Sequence, residues 1–227
     1  MNGLRLEHIS KSYEEGDRAL SIIKDLSWEF PANGSVAIIG RSGIGKSTLL
    51  HLMGGLDTPT SGTISCGDEV LTTKTQDELA LFRRRNVGFV FQFHHLLPEF
   101  TAVENVALPL RLQGQSPEAS MSKAEFYLER VGLTSRKHHR PSELSGGEQS
   151  RVALARAIIH EPKIILADEP TGSLDLSTGK EIRELLFRVQ KEFKALLVVV
   201  THHKEVASQA EQILEMSEGG GLAKPSV

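Results

Sequence analysis

"SVAIIGRSGIGKSTLLHLM", Ser35 to Met53, decides the fold. Its opening, "SVAIIG", is apolar enough for a central strand, and its close, "STLLHLM", reads as a helix. Between them "GRSGIGKS", Gly40 to Ser47, fits G-x-x-x-x-G-K-[ST]. A strand before it and a helix after it are the context this motif requires. Glycines let successive backbone N–H groups converge on phosphate oxygens, and the helix N-terminus adds its partial positive charge. Lys46 would reach the β and γ phosphates of a nucleotide, and Ser47 would offer its hydroxyl to Mg²⁺. Gly40, Arg41, Ser42, Gly43, Ile44, Gly45 and Thr48 complete the candidate cradle, to which Ile44 brings only backbone.

Working outward, "DLSWEF" places Leu26, Trp28 and Phe30 on one strand face, and "PANG" turns the chain into the phosphate loop. "TSGTISCGDEVL" reads as a small hairpin around Cys66-Gly67-Asp68. Thr75 with Glu78, and Thr101 with Glu104, are capping boxes that open helices. Pro109 should kink or end the second of these. Ser122 to Val131 has helical spacing through Ala124, Phe126 or Tyr127, Leu128 and Val131, and Gly132 stops it. After Pro162 strands alternate with helices: "KIILAD", then Ser177 to Phe193, "ALLVVVT", "KEVASQA" and "QILEM". That alternation implies a parallel α/β sheet interrupted by a helical middle section. The tail, "SEGGGLAKPSV", reads as loose.

Composition narrows the class. With 39% hydrophobic and 24% charged residues, the 227-residue chain reads as a globular protein. No window approaches the roughly 18 uncharged apolar residues of a membrane span. No apolar N-terminal stretch follows a basic start, so a cytosolic chain without a secretory signal is expected. One cysteine excludes an internal disulfide and a cysteine-rich zinc site. A net charge of −3 argues against a broadly cationic nucleic-acid binder. The nine histidines fall mostly as the neighbours His94-His95, His138-His139 and His202-His203. Neighbouring side chains diverge on a helix or a strand, so such pairs chelate metal poorly.

Two further stretches carry chemistry. In "IILADEP", Asp168 ends an apolar strand, placed to hold the magnesium shell beside the phosphate-loop strand, and Glu169 follows at once. A second carboxylate there can orient and polarise an attacking water. In "LSGGEQSRVALARA", Ser145, Gly146 and Gly147 at a helix start form a second anion-binding nest. One nucleotide needs only one such loop.

Leu144-Ser145-Gly146-Gly147-Glu148 resembles the signature of the ATP-binding-cassette (ABC) ATPases, in which this nest completes the partner subunit's site. The resemblance extends from Leu4 to about Met216 and includes Gln92, Asp175 in "SLD" and His202 in "VTHH". It implies an α/β P-loop fold of ABC type: a RecA-like core, an antiparallel β-subdomain and an inserted helical subdomain over 93–160. Residues 2–220 would form one domain, and 221–227 a loose tail. It also implies ATP and Mg²⁺ as ligands, with Tyr13 stacked on adenine, Glu169 as base and His202 donating to the γ-phosphate. Gln92 would meet the metal or the water, and Ser47, Gln92 and Asp168 would hold Mg²⁺. Departures are His203, where the family more often has an acid or amide, Ile44 for a common serine, and Glu148 for glutamine.

"FQFHHLLPEFTAVENVALPL" with "STLLHLMGGLDTPTSG" resembles more closely the ATPase subunits of lipoprotein-releasing transporters. Implied partners are a second copy of the chain in the ATP state, integral inner-membrane permease subunits (LolC/LolE-like) and a lipoprotein cargo, with no nucleic acid. The expected location is peripheral, on the cytoplasmic face of the inner membrane. Macrolide-type exporters and regulatory cell-division or cell-wall complexes share much of the second stretch and stay open as alternatives. Soluble repair or translation cassettes carry coiled coils, zinc inserts or tandem cassettes that this sequence lacks. A P-loop nucleoside kinase would leave the signature unexplained.

Overall fold

The structure, a computed structural model, describes residues 3–16 and 18–225. Along the chain it forms β1 (Leu4–Glu15), β2 (Arg18–Glu29), β3 (Gly34–Ile39), α1 (Lys46–Met53), β4 (Ser61–Cys66), β5 (Glu69–Val70), α2 (Gln76–Asn86) and β6 (Val87–Val90). There follow α3 (Ala102–Leu112), α4 (Pro117–Arg130), α5 (Gly146–Ile158), β7 (Ile164–Asp168) and α6 (Leu176–Phe193). The chain closes with β8 (Leu196–Val200), α7 (Lys204–Ala207), β9 (Gln212–Met216) and β10 (Leu222–Ala223).

The larger sheet has the order β10-β9-β3-β8-β7-β6 and is parallel except at its β9–β10 edge. Successive side chains of each strand face opposite ways, so the sheet feeds two cores. Val36, Ile38, Leu166, Val198 and Val200 pack with Leu49, Leu50 and Met53 of α1 and with Leu6, Ile9 and Ile23 of the smaller sheet. Ala37, Ile165, Ala167, Leu197 and Val199 pack on the other side with Val106, Val152, Ala155 and Leu186 of α3, α5 and α6. Burial on both faces explains the unbroken apolar runs of β3, β7 and β8. Each buried Val, Leu or Ile contributes roughly 1.5–3 kcal/mol, so these strands fix the loops at their C-terminal ends. β7 does not lie beside β3, as the sequence predicts for Asp168; β8 separates them.

The smaller sheet is antiparallel, in the order β2-β1-β4-β5, and its β4–β5 hairpin turns at Gly67 with a left-handed φ of 59°. Both expected capping boxes form, at Thr75–Glu78 and Thr101–Glu104. Pro109 does not stop α3, which runs three residues further to Leu112. Its missing N–H forgoes a single i→i−4 bond, to the Asn105 carbonyl, and the last turn of the helix continues past it.

α4 begins at Pro117 behind the N-cap Ser116, a turn earlier than the apolar spacing shows, because Pro fits a first helical position. Tyr127 rather than Phe126 faces inward; Phe126 is exposed. The tail is not loose throughout. Gly219 and Gly220, at φ 84° and 85°, turn the chain back so that Leu222 and Ala223 pair with Met216 and Glu215.

Candidate functional site

The loop after β3 wraps a cleft of about 380 Å³ lined by Ser42, Gly43, Gly45, Lys46, Ser47 and Thr48, facing Gln92, Asp168, Glu169 and His202. Gly43 and Gly45 take φ of 76° and 108°, and a Cβ on Gly45 would come within 2.6 Å of Ile22 Cγ2. Only glycine fits there. Lys46 is buried, and its Nζ donates to the carbonyls of Gly40 and Arg41 at 2.8 and 2.9 Å. An ammonium has three N–H groups, so one is left for a phosphate oxygen. Ser47, Asp168 and Gln92 bring oxygen donors to the same cleft, a hard donor set that suits Mg²⁺. Gly40, Arg41 and Ile44 lie outside the cleft lining.

Glu169 is held in place by its neighbours. Its φ of 43° is left-handed, a conformation a non-glycine residue keeps only when the surroundings impose it. Its N–H donates to Val200 O at 2.9 Å, extending the β7–β8 register past Asp168. Thr201 Oγ1 donates to Oε2 at 2.9 Å, and Oε1 accepts the His202 backbone N–H at 2.9 Å. His202 Nδ1 lies 2.6 Å from the same Oε1. One carboxylate thus gathers three groups from the end of β8. Thr201 is fully buried and itself accepts the His203 N–H, making it a member of the constellation that the histidine-centred motif did not single out.

Ser145, Gly146, Gly147 and Glu148 lie elsewhere: none of them lines the cleft. Ser145 caps α5, accepting the Glu148 N–H at 3.3 Å, while Glu148 Oε2 accepts the Ser145 N–H at 2.8 Å and its hydroxyl at 2.9 Å. Those bonds hold the Glu148 carboxyl below its ordinary range, helped by Arg136. Gly147 backs onto the first turn of α6, where a Cβ would meet Thr178 Cγ2 at 2.4 Å. The nest therefore sits beside Asp175, which caps α6 by accepting from Ser177 and Thr178. Leu176, the next residue, is 96% exposed.

Tyr13 is also outside the cleft lining. Its hydroxyl donates to Asp57 Oδ2 at 2.8 Å, and the Lys11 ammonium, bonded to Asp57 Oδ1 at 2.7 Å, stands 4.6 Å from the ring centroid. Burial first, and then Asp57, push the Tyr13 hydroxyl above its ordinary pKa. Ile22, whose side chain closes one wall of the cleft, carries no chemical signal in the sequence and is found only by tertiary contact.

Phe91, just before Gln92, belongs to a second and larger hollow of about 760 Å³. Its wall is apolar, with Leu56, Leu81, Phe89, Leu108 and Leu112, and Arg83, Arg84 and Arg156 also line it.

Known proteins share this architecture. The profile of the family described as ABC transporter matches residues 23–172. Over 216 residues the chain is 46% identical to the Lipoprotein-releasing system ATP-binding protein LolD of Idiomarina loihiensis, covering 95% of each chain. The protein of the same name from Bdellovibrio bacteriovorus is 46% identical over 95% of this chain and 98% of its own. Among solved structures, the dimeric post-hydrolysis state of the ATP-binding cassette MJ0796 bound to ADP and Pi matches with a TM-score of 0.90. Its identity is 38%, over 97% of both chains.

Proposed function

This chain belongs to the ABC transporter family and is an ATPase using ATP with Mg²⁺, and from that premise we propose that it drives release of lipoproteins from the inner membrane toward the outer membrane. It would do so from the cytoplasmic face, as a peripheral subunit on integral permease partners. Among the described residues no helix is long and apolar enough to cross a membrane. Residues 2–220 are read as one cassette, with 93–160 as the helical subdomain inserted in its core.

One observation carries the mechanism. The cleft gathers the phosphate loop, Gln92, Asp168, Glu169 and His202, while the second anion nest at Ser145 stays outside it. A second copy turned head to tail would supply that nest, and a two-fold pair gives two equivalent composite sites. The exposed Leu176 beside Asp175 is apolar surface that such a pair would cover. Tyr13, 40% exposed with Lys11 over one face, leaves ring surface for adenine.

Within each site Lys46 and the loop N–H groups hold the phosphates, and Ser47, Asp168 and Gln92 would hold Mg²⁺, which when bound would neutralise charge on the transferred phosphoryl group. Glu169, kept in one orientation by Thr201 and the His202 N–H, accepts a proton from the attacking water. The His202 ring donates to the γ-phosphate. Closure depends on that phosphate, so hydrolysis shifts the pair back toward separation.

The larger hollow suits an amphipathic helix from a permease loop, its apolar face on Leu81, Phe89 and Leu112 and an acidic residue against Arg83 or Arg84. Phe91 in its wall adjoins Gln92, so the docked helix would sense the nucleotide.

Reconstitution with the membrane proteins that co-purify with the chain tests the assignment. In vesicles carrying a lipidated protein, ATP should release that protein, and Lys46→Ala should abolish release. Hydrolysis that proceeds with the partners present but releases no lipoprotein would reject this cargo.

A further inference from the structure

Adjacent histidines diverge on regular elements, but His202 and His203 lie in the bend between β8 and α7, and there their rings come together at 4.1 Å between centroids. Glu169 faces the same bend. One donor atom from each of Glu169, His202 and His203 lies within 4.8 Å of the other two. From this geometry we propose that the three residues form a site for a zinc-class divalent ion, distinct from the magnesium ligands, whose occupation blocks hydrolysis.

The donor set fixes the class of ion. Two imidazoles and one carboxylate suit Zn²⁺ and its neighbours, whereas Mg²⁺ prefers an all-oxygen shell. Tetrahedral bonds of about 2.1 Å place donors roughly 3.4 Å apart, so at most about 1.5 Å of side-chain movement closes the set. His202 has room for that, with 60% of its side chain exposed, while Glu169 at 13% is the fixed member. Thr201 strengthens this arrangement from behind: its hydroxyl anchors Glu169 Oε2 and accepts the His203 N–H, leaving Oε1 on the side of the His202 ring and its backbone N–H. Such supporting bonds orient ligands and sharpen affinity.

The consequence rests on the reading of Glu169 as base; the existence of the site does not. A carboxylate bound to the ion has given up the lone pair that would take a proton from water.

Competition with a chromophoric chelator measures Zn²⁺ binding to the nucleotide-free full chain, and zinc-buffered Mg-ATP assays measure inhibition. His203→Asn should weaken the tightest zinc step at least tenfold and move half-inhibition by the same factor, with zinc-free hydrolysis at the wild-type level. Equal zinc affinity in wild type and variant, or inhibition at the same free zinc, overturns the site. Hydrolysis that persists in Glu169→Gln rejects the base instead, leaving the chelator result to judge the metal by itself.

Discussion

Nε2 of His94 lies 2.7 Å from Oγ of Ser150, which fastens the loop leaving Gln92 to the helix that begins at Gly146. The Ser150 hydroxyl donates to Gly146 O at 3.0 Å, so it accepts from the Nε2–H of His94. Nearly two turns further along α5, Arg156 donates to the carbonyls of His94 and His95, both at 2.7 Å. A single helix thus carries the second anion nest at one end and grips the Gln92 loop along its length.

Removing that grip should uncouple the two. Arg156→Ala leaves two carbonyls without their donor, which costs about 1–3 kcal/mol where they stay shielded from water. Urea unfolding should show the loss. Stimulation of hydrolysis by permease should fall further than basal hydrolysis does. Equal falls in both would reject a coupling role.

Stability should decline in mild acid. Burial holds His94 and His160 below the ordinary histidine value of 6.5 in the folded chain. Between that folded value and 6.5 the unfolded chain binds more protons, so folding is favoured above pH 6.5 and weakened as pH falls below it. The urea midpoint should drop between pH 7.5 and 5.5, and His94→Gln with His160→Gln should flatten the drop. An unchanged slope in the double variant would assign the effect to other groups.

Thr201→Val keeps the shape of a fully buried side chain but deletes its bonds to Glu169 and the His203 N–H. A lost bond of about 1.4 kcal/mol predicts a roughly tenfold lower kcat. KM should change little, because Thr201 does not line the cleft. A KM effect without a kcat effect would place Thr201 in binding instead.

Glu169→Gln should bind ATP, accumulate as a dimer in gel filtration and nearly cease hydrolysis. Ser145→Ala and Lys46→Ala chains should each be inactive alone. An equal mixture should recover about a quarter of wild-type activity, since half of the random pairs contain one intact composite site. A mixture as inactive as its parents would exclude sites built from two chains.

Much of this was legible in local chemistry. The capping boxes at Thr75 and Thr101 formed because side chain and backbone satisfy each other within four residues, whatever surrounds them. The phosphate loop is equally local, since its glycines set their own φ. Pro109 does not end its helix, because the one bond it removes is outweighed by the packing of the surrounding apolar face. Leu222–Ala223 misled because a glycine-rich tail becomes a strand only when an edge such as β9 is open to it.

By itself the sequence determined the two glycine-rich loops that open helices, the acids at the end of β7 and the alternation of strands and helices, all of which follow from residue type and short spacing. Tertiary structure alone decided that β8 stands between β3 and β7, that Ile22 walls the cleft, and that Thr201 braces Glu169. It also decided that His202 and His203 converge and that the Ser145 nest lies outside the cleft that would need it. These are relations between segments far apart in the chain or in a bend without periodicity, fixed by strand order and packing on the two faces of one sheet.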